Sequence, residues 1–410
     1  MSFLTLPLLL FALSSLSLAV DPIHIPLTRR LTSSQPFDPI KEAYKVKVKY
    51  DFIDESSLLR RGTSAGIPVI NQARSASHSL HQAKYQQTFV LNFRAQTFTI
   101  VLDTGSSDLW FASTSCQICR TNAPLFQTAI SQSFRASTDP GVTITYASGA
   151  VKGAIGSDKV TMGGFTISSQ TFVVVDSATS DILQATPFWQ ALLNDKKFSS
   201  PDMGFWLAKA SPSSKTTEVP GGVFTLGGTN SSLYSGSIDF QKLPMSTPSF
   251  WLQNLTVVTV GGRSVQIASG LSAIDTGTTL IVGPSTDVAA IWAAVPNSSP
   301  SEIVEGFFRF PCTAHVNMSL SFGGKAWPIT PQDMNIGPET TGSSFCLGAI
   351  NTMAGAVSGP GLPSWIIGDT FLKNVYTVFR ASPPSVGFAQ LSTLAGGTGG
   401  PSSVSVIPCN

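Results

Sequence analysis

Charge is scarce in this chain: Asp, Glu, Lys and Arg make up 12% of its 410 residues, 25 of them basic and 23 acidic. That excludes a solvating, disordered polymer and gives no basic stripe of the kind that grips nucleic acid. Histidine is scarcer still, with four residues, and only His81 and His315 lie beyond residue 80. A metal site built on imidazoles has too few ligands, and a Ser-His-Asp triad would depend on His315 alone. Beyond residue 80 no Gly-x-Ser-x-Gly elbow presents a serine. No Gly-x-Gly-x-x-Gly and no phosphate-binding loop occurs either, so no nucleotide cofactor is expected. Cysteine is limited to five residues; Cys116 and Cys119 form a C-x-x-C pair with no second Cys/His pair to complete a zinc knuckle, and a small disulfide loop is the better reading. After residue 19 no apolar run reaches the 18 or more residues that a membrane span needs.

What is present is apolar bulk and punctuation. Hydrophobic residues make up 42%, with 35 Gly and 27 Pro, a composition of short strands joined by turns around sizeable cores. Met1–Ala19 is uncharged, Leu-rich and closed by Ser17-Leu18-Ala19, which reads as a secretory signal peptide. From residue 20 to 80 there are nine Lys/Arg against six acids, so a basic leader precedes a nearly neutral body. We read 20–80 as a processed leader with some helix and strand, outside the main core. Arg60-Arg61 offers a dibasic cut, and a final trim is expected nearer Lys84. Two lobes, 81–240 and 241–410, follow.

In the body the hydrophobic period becomes two. Phe98, Ile100 and Leu102 fall on one face of a half-buried strand. Three segments read as hairpins turning on Gly-Gly: Lys159–Met162 into Phe165–Ser168, Leu255–Val260 into Arg263–Ile267, and Leu320–Phe322 into Lys325–Ile329. Helical stretches are few and short, with Ser285–Val295 and Pro187–Asn194 the better candidates, so the class is mostly β.

One repeat outweighs the rest. Ile100-Val101-Leu102-Asp103-Thr104-Gly105-Ser106-Ser107 recurs 172 residues later as Ser272-Ala273-Ile274-Asp275-Thr276-Gly277-Thr278-Thr279. Each copy ends an apolar strand, so each Asp emerges at the edge of a core. The Gly permits a tight turn and close approach of backbone N–H groups to the carboxylate. The Thr supplies a hydroxyl able to bind the opposite loop. Brought together about a pseudo-twofold axis, two such carboxylates cannot both ionise and share one proton. One can then take a proton from a bridging water while the other protonates a carbonyl oxygen, which is general acid–base catalysis without a covalent intermediate. No cofactor and no metal enter this chemistry.

From about Thr88 to Ala389 the chain resembles the pepsin family of aspartic endopeptidases, the secreted fungal members most of all. The matching residues are Leu102–Trp110 (LDTGSSDLW), Ile144–Gly149 (ITYASG), Gly222–Thr229 (GVFTLGGT), Ala273–Pro284 (AIDTGTTLIVGP), Trp365–Phe379 (WIIGDTFLKNVYTVF) and Val386–Ala389 (VGFA). The resemblance implies a bilobal β fold, two related β-barrel-like lobes with a cleft between them. It implies that Asp103 and Asp275 hold the lytic water and that Ser106 and Thr278 bond their outer oxygens. Tyr146, with Gly149, would belong to a flap that closes over substrate, steadied by Trp110. The resemblance also implies a Cys312–Cys346 bridge in the second lobe, with Cys116–Cys119 unusually short for the first and Cys409 left over. Extended polypeptides with bulky apolar side chains would be the substrates, and the basic leader an intramolecular inhibitor released by acid. The implied product is a monomer outside the cell or in a vacuole, free of the membrane once the signal is removed. Sequons at Asn230, Asn254, Asn297 and Asn317 suit that route.

Three departures stand out. Asn92-Phe93-Arg94 replaces the family's Gly-Thr-Pro turn, Ala147 replaces the Gly after the flap tyrosine, and Asp181-Ile182-Leu183-Gln184 lacks both glycines of the first-lobe support segment. The second-lobe counterpart Ile366-Ile367-Gly368 is intact. Gln184 is the motive for a rival reading, a catalytically weak pepsin-like binding protein. The doubled Asp-Thr-Gly and Tyr146 favour the enzyme.

Overall fold

The computed structural model describes residues 22–30, 70–72, 85–91, 96–105, 109–116, 125–146, 149–162, 164–177, 192–194, 198, 200–209, 218–245, 250–268, 270–352 and 363–397. Strands dominate, and the architecture is bilobal. One 14-stranded sheet runs through the first lobe and on into strands from both halves of the chain. Asp202–Leu207 there pairs with Glu218–Leu226 on one side and with Val375–Ala381 on the other. Three smaller sheets build the second lobe. Among the described residues no helix is long and apolar enough to cross a membrane.

The Gly-Gly hairpins form with one adjustment. Met162 faces Phe165, and Val260 faces Arg263, so the first two turns have two residues. Gly261 and Gly262 both take positive φ, 58° and 80°, the geometry that a tight turn between twisted strands demands and a Cβ resists. In the third hairpin Ser321 faces Ala326, so four residues make the turn and only Gly323 is left-handed. The expected helix at Ser285–Val295 appears as Ser285–Ala293. Of Pro187–Asn194, residues 192–194 are helical and the rest lies outside the described residues.

Each lobe closes on aromatic packing. In the first, Phe111 meets Phe98 at 4.8 Å and Phe172 edge-on at 5.1 Å between centroids. In the second, Trp292 stacks on Phe310 at 5.5 Å and gives its indole N–H to the carbonyl of Ile350 at 2.8 Å. Cys312 and Cys346 form a disulfide between residues 34 apart. Closing a loop of that length stabilises by about 3–4 kcal/mol through the unfolded chain. Cys116 is buried and disulfide-bonded; Cys119 and Cys409 lie outside the described residues.

Residues 20–80 depart from expectation. We expected 20–80 to lie outside the core, yet Ile23–Arg30 is a strand of the large sheet, paired with Glu218–Leu226 along its length and with Tyr85–Leu91 at Thr28 and Arg29. Ile25 and Leu27 are 3% and 1% exposed and belong to the main hydrophobic cluster. The alternation Ile-x-Ile-x-Leu is a half-buried strand pattern that the surrounding charge obscured. A second strand from this stretch, Ile70–Gln72, pairs antiparallel with Gln96–Asp103, placing Ile70 opposite Asp103.

Candidate active site

Asp103 ends the strand Gln96–Asp103, and Asp275 follows the strand Gly270–Ile274. Leu102 and Ile274, each 1% exposed, anchor the two strands in the core immediately before the carboxylates. Asp103 and Asp275 are themselves buried. Each carboxylate is oriented by its own loop: Gly105 N–H donates to Asp103 Oδ1 at 2.9 Å, and Gly277 N–H donates to Asp275 Oδ1 at 2.8 Å. The hydroxyl of Thr278 donates to Asp275 Oδ2 at 2.5 Å.

The two loops are locked face to face by the intervening threonines. Thr104 N–H donates to Thr276 Oγ1 at 3.1 Å, and Thr276 N–H donates to Thr104 Oγ1 at 2.9 Å. Each hydroxyl then donates across the axis, Thr104 to the carbonyl of Ile274 at 2.9 Å and Thr276 to that of Leu102 at 3.0 Å. The glycines explain how close this approach is. A Cβ at Gly105 would stand 2.6 Å from the Asp275 carboxyl carbon, and one at Gly277 would overlap the Asp103 carboxylate. Each carboxylate therefore lies against the backbone of the opposite loop. Thr104→Val is expected to leave a buried N–H and a buried C=O unpaired and to lower stability by about 2–4 kcal/mol. The shift of the urea midpoint measures this, and Thr104→Ser, which restores the hydroxyl, should recover most of it.

Beneath the Asp275 loop runs Trp365–Ile367, parallel to Gly270–Ile274. Asp369 N–H and Thr370 N–H donate to the carbonyls of Thr278 and Thr279, both at 2.8 Å. Gly368 passes so near these carbonyls that a Cβ there would collide with the backbone of Thr278 and Leu280. This doubled apolar-strand motif, these glycines and these threonines in two halves of one chain have a counterpart in known proteins. A family model described as eukaryotic aspartyl protease matches residues 84–186 and 177–391. The chain belongs to the pepsin family.

Among its aspartyl protease relatives, "Major aspartyl peptidase 1" of Cryptococcus neoformans var. grubii is 37% identical over 340 residues, 75% of this chain and 69% of the relative. "Aspartic protease" of Phaffia rhodozyma is 32% identical over 319 residues, 72% of this chain and 74% of the relative. Human cathepsin D is 26% identical over 429 aligned positions, spanning 96% of this chain and 99% of the relative. As an aspartyl protease the chain is an aspartic-type endopeptidase.

The remaining predicted residues of this protease fall as follows. Val142–Tyr146 and Gly149–Met162 form an antiparallel hairpin with Tyr146 opposite Gly149 across residues 147–148. The ring of Tyr146 and all of Ala147 lie outside the described residues, as do Ser106, Asn92-Phe93-Arg94 and Asp181–Gln184. Trp110 is buried in a cluster with Cys116, Val142, Val173 and Val175, which takes in the first residue of that hairpin. Asn254, Asn297 and Asn317 are exposed. Asn230 is half-buried: its N–H donates to Tyr376 Oη at 2.8 Å, and its Oδ1 accepts from the Ser232 hydroxyl at 2.7 Å. Sequence reasoning missed Asp369, Thr370 and Asn374 as supports of the Asp275 loop. The signal was present in Gly368-Asp369-Thr370, which repeats Gly, Asp and Thr directly after an apolar strand.

Proposed function

We propose that the chain is a secreted endopeptidase that hydrolyses peptide bonds at acid pH with a water activated between Asp103 and Asp275. The observation that carries this is the reciprocal threonine lock, which holds two buried carboxylates against each other's loops. Like charges so placed share one proton. The ionised carboxylate takes a proton from water as its oxygen attacks the scissile carbonyl carbon. The protonated carboxyl gives its proton to the carbonyl oxygen, and the resulting diol collapses as the C–N bond breaks and the leaving amine is protonated. Thr278 and Ser106 orient the outer carboxylate oxygens, and the Tyr146–Gly149 hairpin closes over an extended polypeptide and excludes water. No cofactor is required.

Residues 20–80 act in this reading as a prosegment and intramolecular inhibitor. Its strand at Ile70–Gln72 runs beside Asp103, and its excess of Lys and Arg is suited to an acidic cleft at neutral pH. The exposed Asn254, Asn297 and Asn317 are the sequons best placed to carry glycans on the secretory route.

The test is to express residues 20–410, acidify to about pH 3–4, where a shared-proton carboxylate pair works, and follow cleavage of a denatured protein. Cleavage that a statine-type transition-state mimic blocks is the expected result. A folded, processed chain that binds the mimic but cuts nothing would overturn the catalytic reading.

A further inference from the structure

The support under Asp275 continues outward as one unbroken set of bonds. Thr278, which holds the Asp275 carboxylate, and Thr279 offer their carbonyls to Asp369 N–H and Thr370 N–H, and the Thr370 hydroxyl donates again to Thr279 at 3.0 Å. These residues begin the short helix Asp369–Leu372. At its far end Asn374 Nδ2 donates back to the carbonyl of Thr370 at 2.9 Å. Asn374 Oδ1 in turn accepts from Lys209 Nζ at 2.7 Å and from Thr330 N–H at 3.3 Å.

All of this converges on one carboxylate. Asp333, in the short helix Pro331–Met334, pairs through Oδ1 with Lys373 Nζ at 2.7 Å and through Oδ2 with Lys209 Nζ at 2.9 Å. The hydroxyl of Thr330 also donates to Oδ2 at 2.7 Å. Lys209 follows the strand Asp202–Leu207 and so arrives from the first half of the chain. The side chain of Asp333 is 8% exposed and that of Lys373 16%, whereas Lys209 is 39% exposed, so solvent screens the Lys209 pair most.

We infer that Asp333 is a positioning residue for peptide hydrolysis: by pinning Lys373 and Lys209 it clamps the helix Asp369–Leu372 on which the Asp275 loop rests. The inference rests on the catalytic reading above. Burial alone raises the Asp333 pKa, but Lys373, Lys209 and Thr330 outweigh it and hold the carboxyl at about 2. Lys209 and Lys373 are the charged groups that face it among the described residues. Since the folded pKa lies below the ordinary 3.8, the clamp contributes fully above about pH 4 and is lost as pH falls through 2. It therefore stays charged where an ordinary surface carboxylate is already half protonated.

The experiment compares Asp333→Asn, Asp333→Glu and Lys209→Met with the parent, counting active sites by titration with a statine-type inhibitor. Per titrated site, Asp333→Asn should lose about tenfold in kcat between pH 3 and 5 with KM unchanged, the scale of a small misplacement of a reacting group. Asp333→Glu should recover part of the loss. Lys209→Met, which alters the most exposed partner, should fall between the two and remain readable should Asp333→Asn not fold. Full kcat per site in Asp333→Asn, or in Lys209→Met if it alone folds, with only melting temperature lowered, would overturn the inference. A parent that titrates with inhibitor yet cleaves nothing would instead overturn the catalytic reading.

Discussion

Asp103→Asn is expected to lower kcat/KM by roughly a thousandfold while the protein still folds, within the roughly 10²–10⁴-fold that proton transfer by a positioned group contributes. The replacement is nearly isosteric. Its amide oxygen can still accept the Gly105 N–H that now reaches Asp103 Oδ1, and the threonine lock involves the neighbouring backbone and hydroxyls rather than the carboxylate. On the proposed mechanism what disappears is the shared proton, since an amide can neither take a proton from water nor hold one for the carbonyl. A fluorogenic peptide assay at acid pH reads the loss, and the urea midpoint should stay within about 1 kcal/mol of the parent, as for substitutions that alter no packing. Activity within tenfold of the parent would remove Asp103 from the chemistry.

The second large effect is expected from residues 20–80. A chain beginning at residue 81 should fail to refold from denaturant under conditions where 20–410 recovers. Ile23–Arg30 occupies a slot between Glu218–Leu226 and Tyr85–Leu91. Its Ile25 and Leu27 fill the main core, each contributing about 1.5–3 kcal/mol by burial. Without the strand, Glu218–Leu226 loses its ladder partner on that side, and its edge faces solvent as a template for aggregation. Size-exclusion chromatography and far-ultraviolet circular dichroism after dilution from urea measure the outcome. Equal recovery of the two chains would show that the strand adds nothing to attaining the fold. Leu27→Asp within 20–410 gives the same contrast at a single position, since an unpaired carboxylate there would be buried among apolar side chains.

Where the information was local, the fold and the candidate site were legible in the sequence. Asp-Thr-Gly after an apolar strand, twice, placed both carboxylates and assigned the threonine hydroxyls to the opposite loop. Gly-Gly between alternating segments gave the hairpins, and it failed only where Gly323 alone takes positive φ and the turn widens to four residues. The strand Ile23–Arg30 was hidden for a physical reason. The strand it pairs with along its length lies some 200 residues away, where His24 Nδ1 meets Thr225 Oγ1 at 3.1 Å, and the charge around it suggested an exposed extension. The clamp at Asp333 left no local trace either, because Lys209 and Lys373 come from elements that only tertiary packing brings together. Sequence periodicity reports which face of an element is buried, not which distant cation will find a buried acid.

The sheet that joins the two halves also sets when the molecule can be finished during synthesis. Tyr234–Lys242 has Pro384–Leu391 as its ladder partner, and Asp202–Leu207 needs Val375–Ala381 on its outer side. Arg380 fastens this seam by gripping both carboxylate oxygens of Asp202, at 2.7 and 2.9 Å, while its guanidinium lies 3.8 Å from the Phe240 ring. A nascent chain that has passed residue 242 thus carries unpaired strands until residue 391 has left the ribosome. Folding of the first half alone on the ribosome, the usual order for separable domains, is incomplete here, and the last-made strands finish what the first-made ones began.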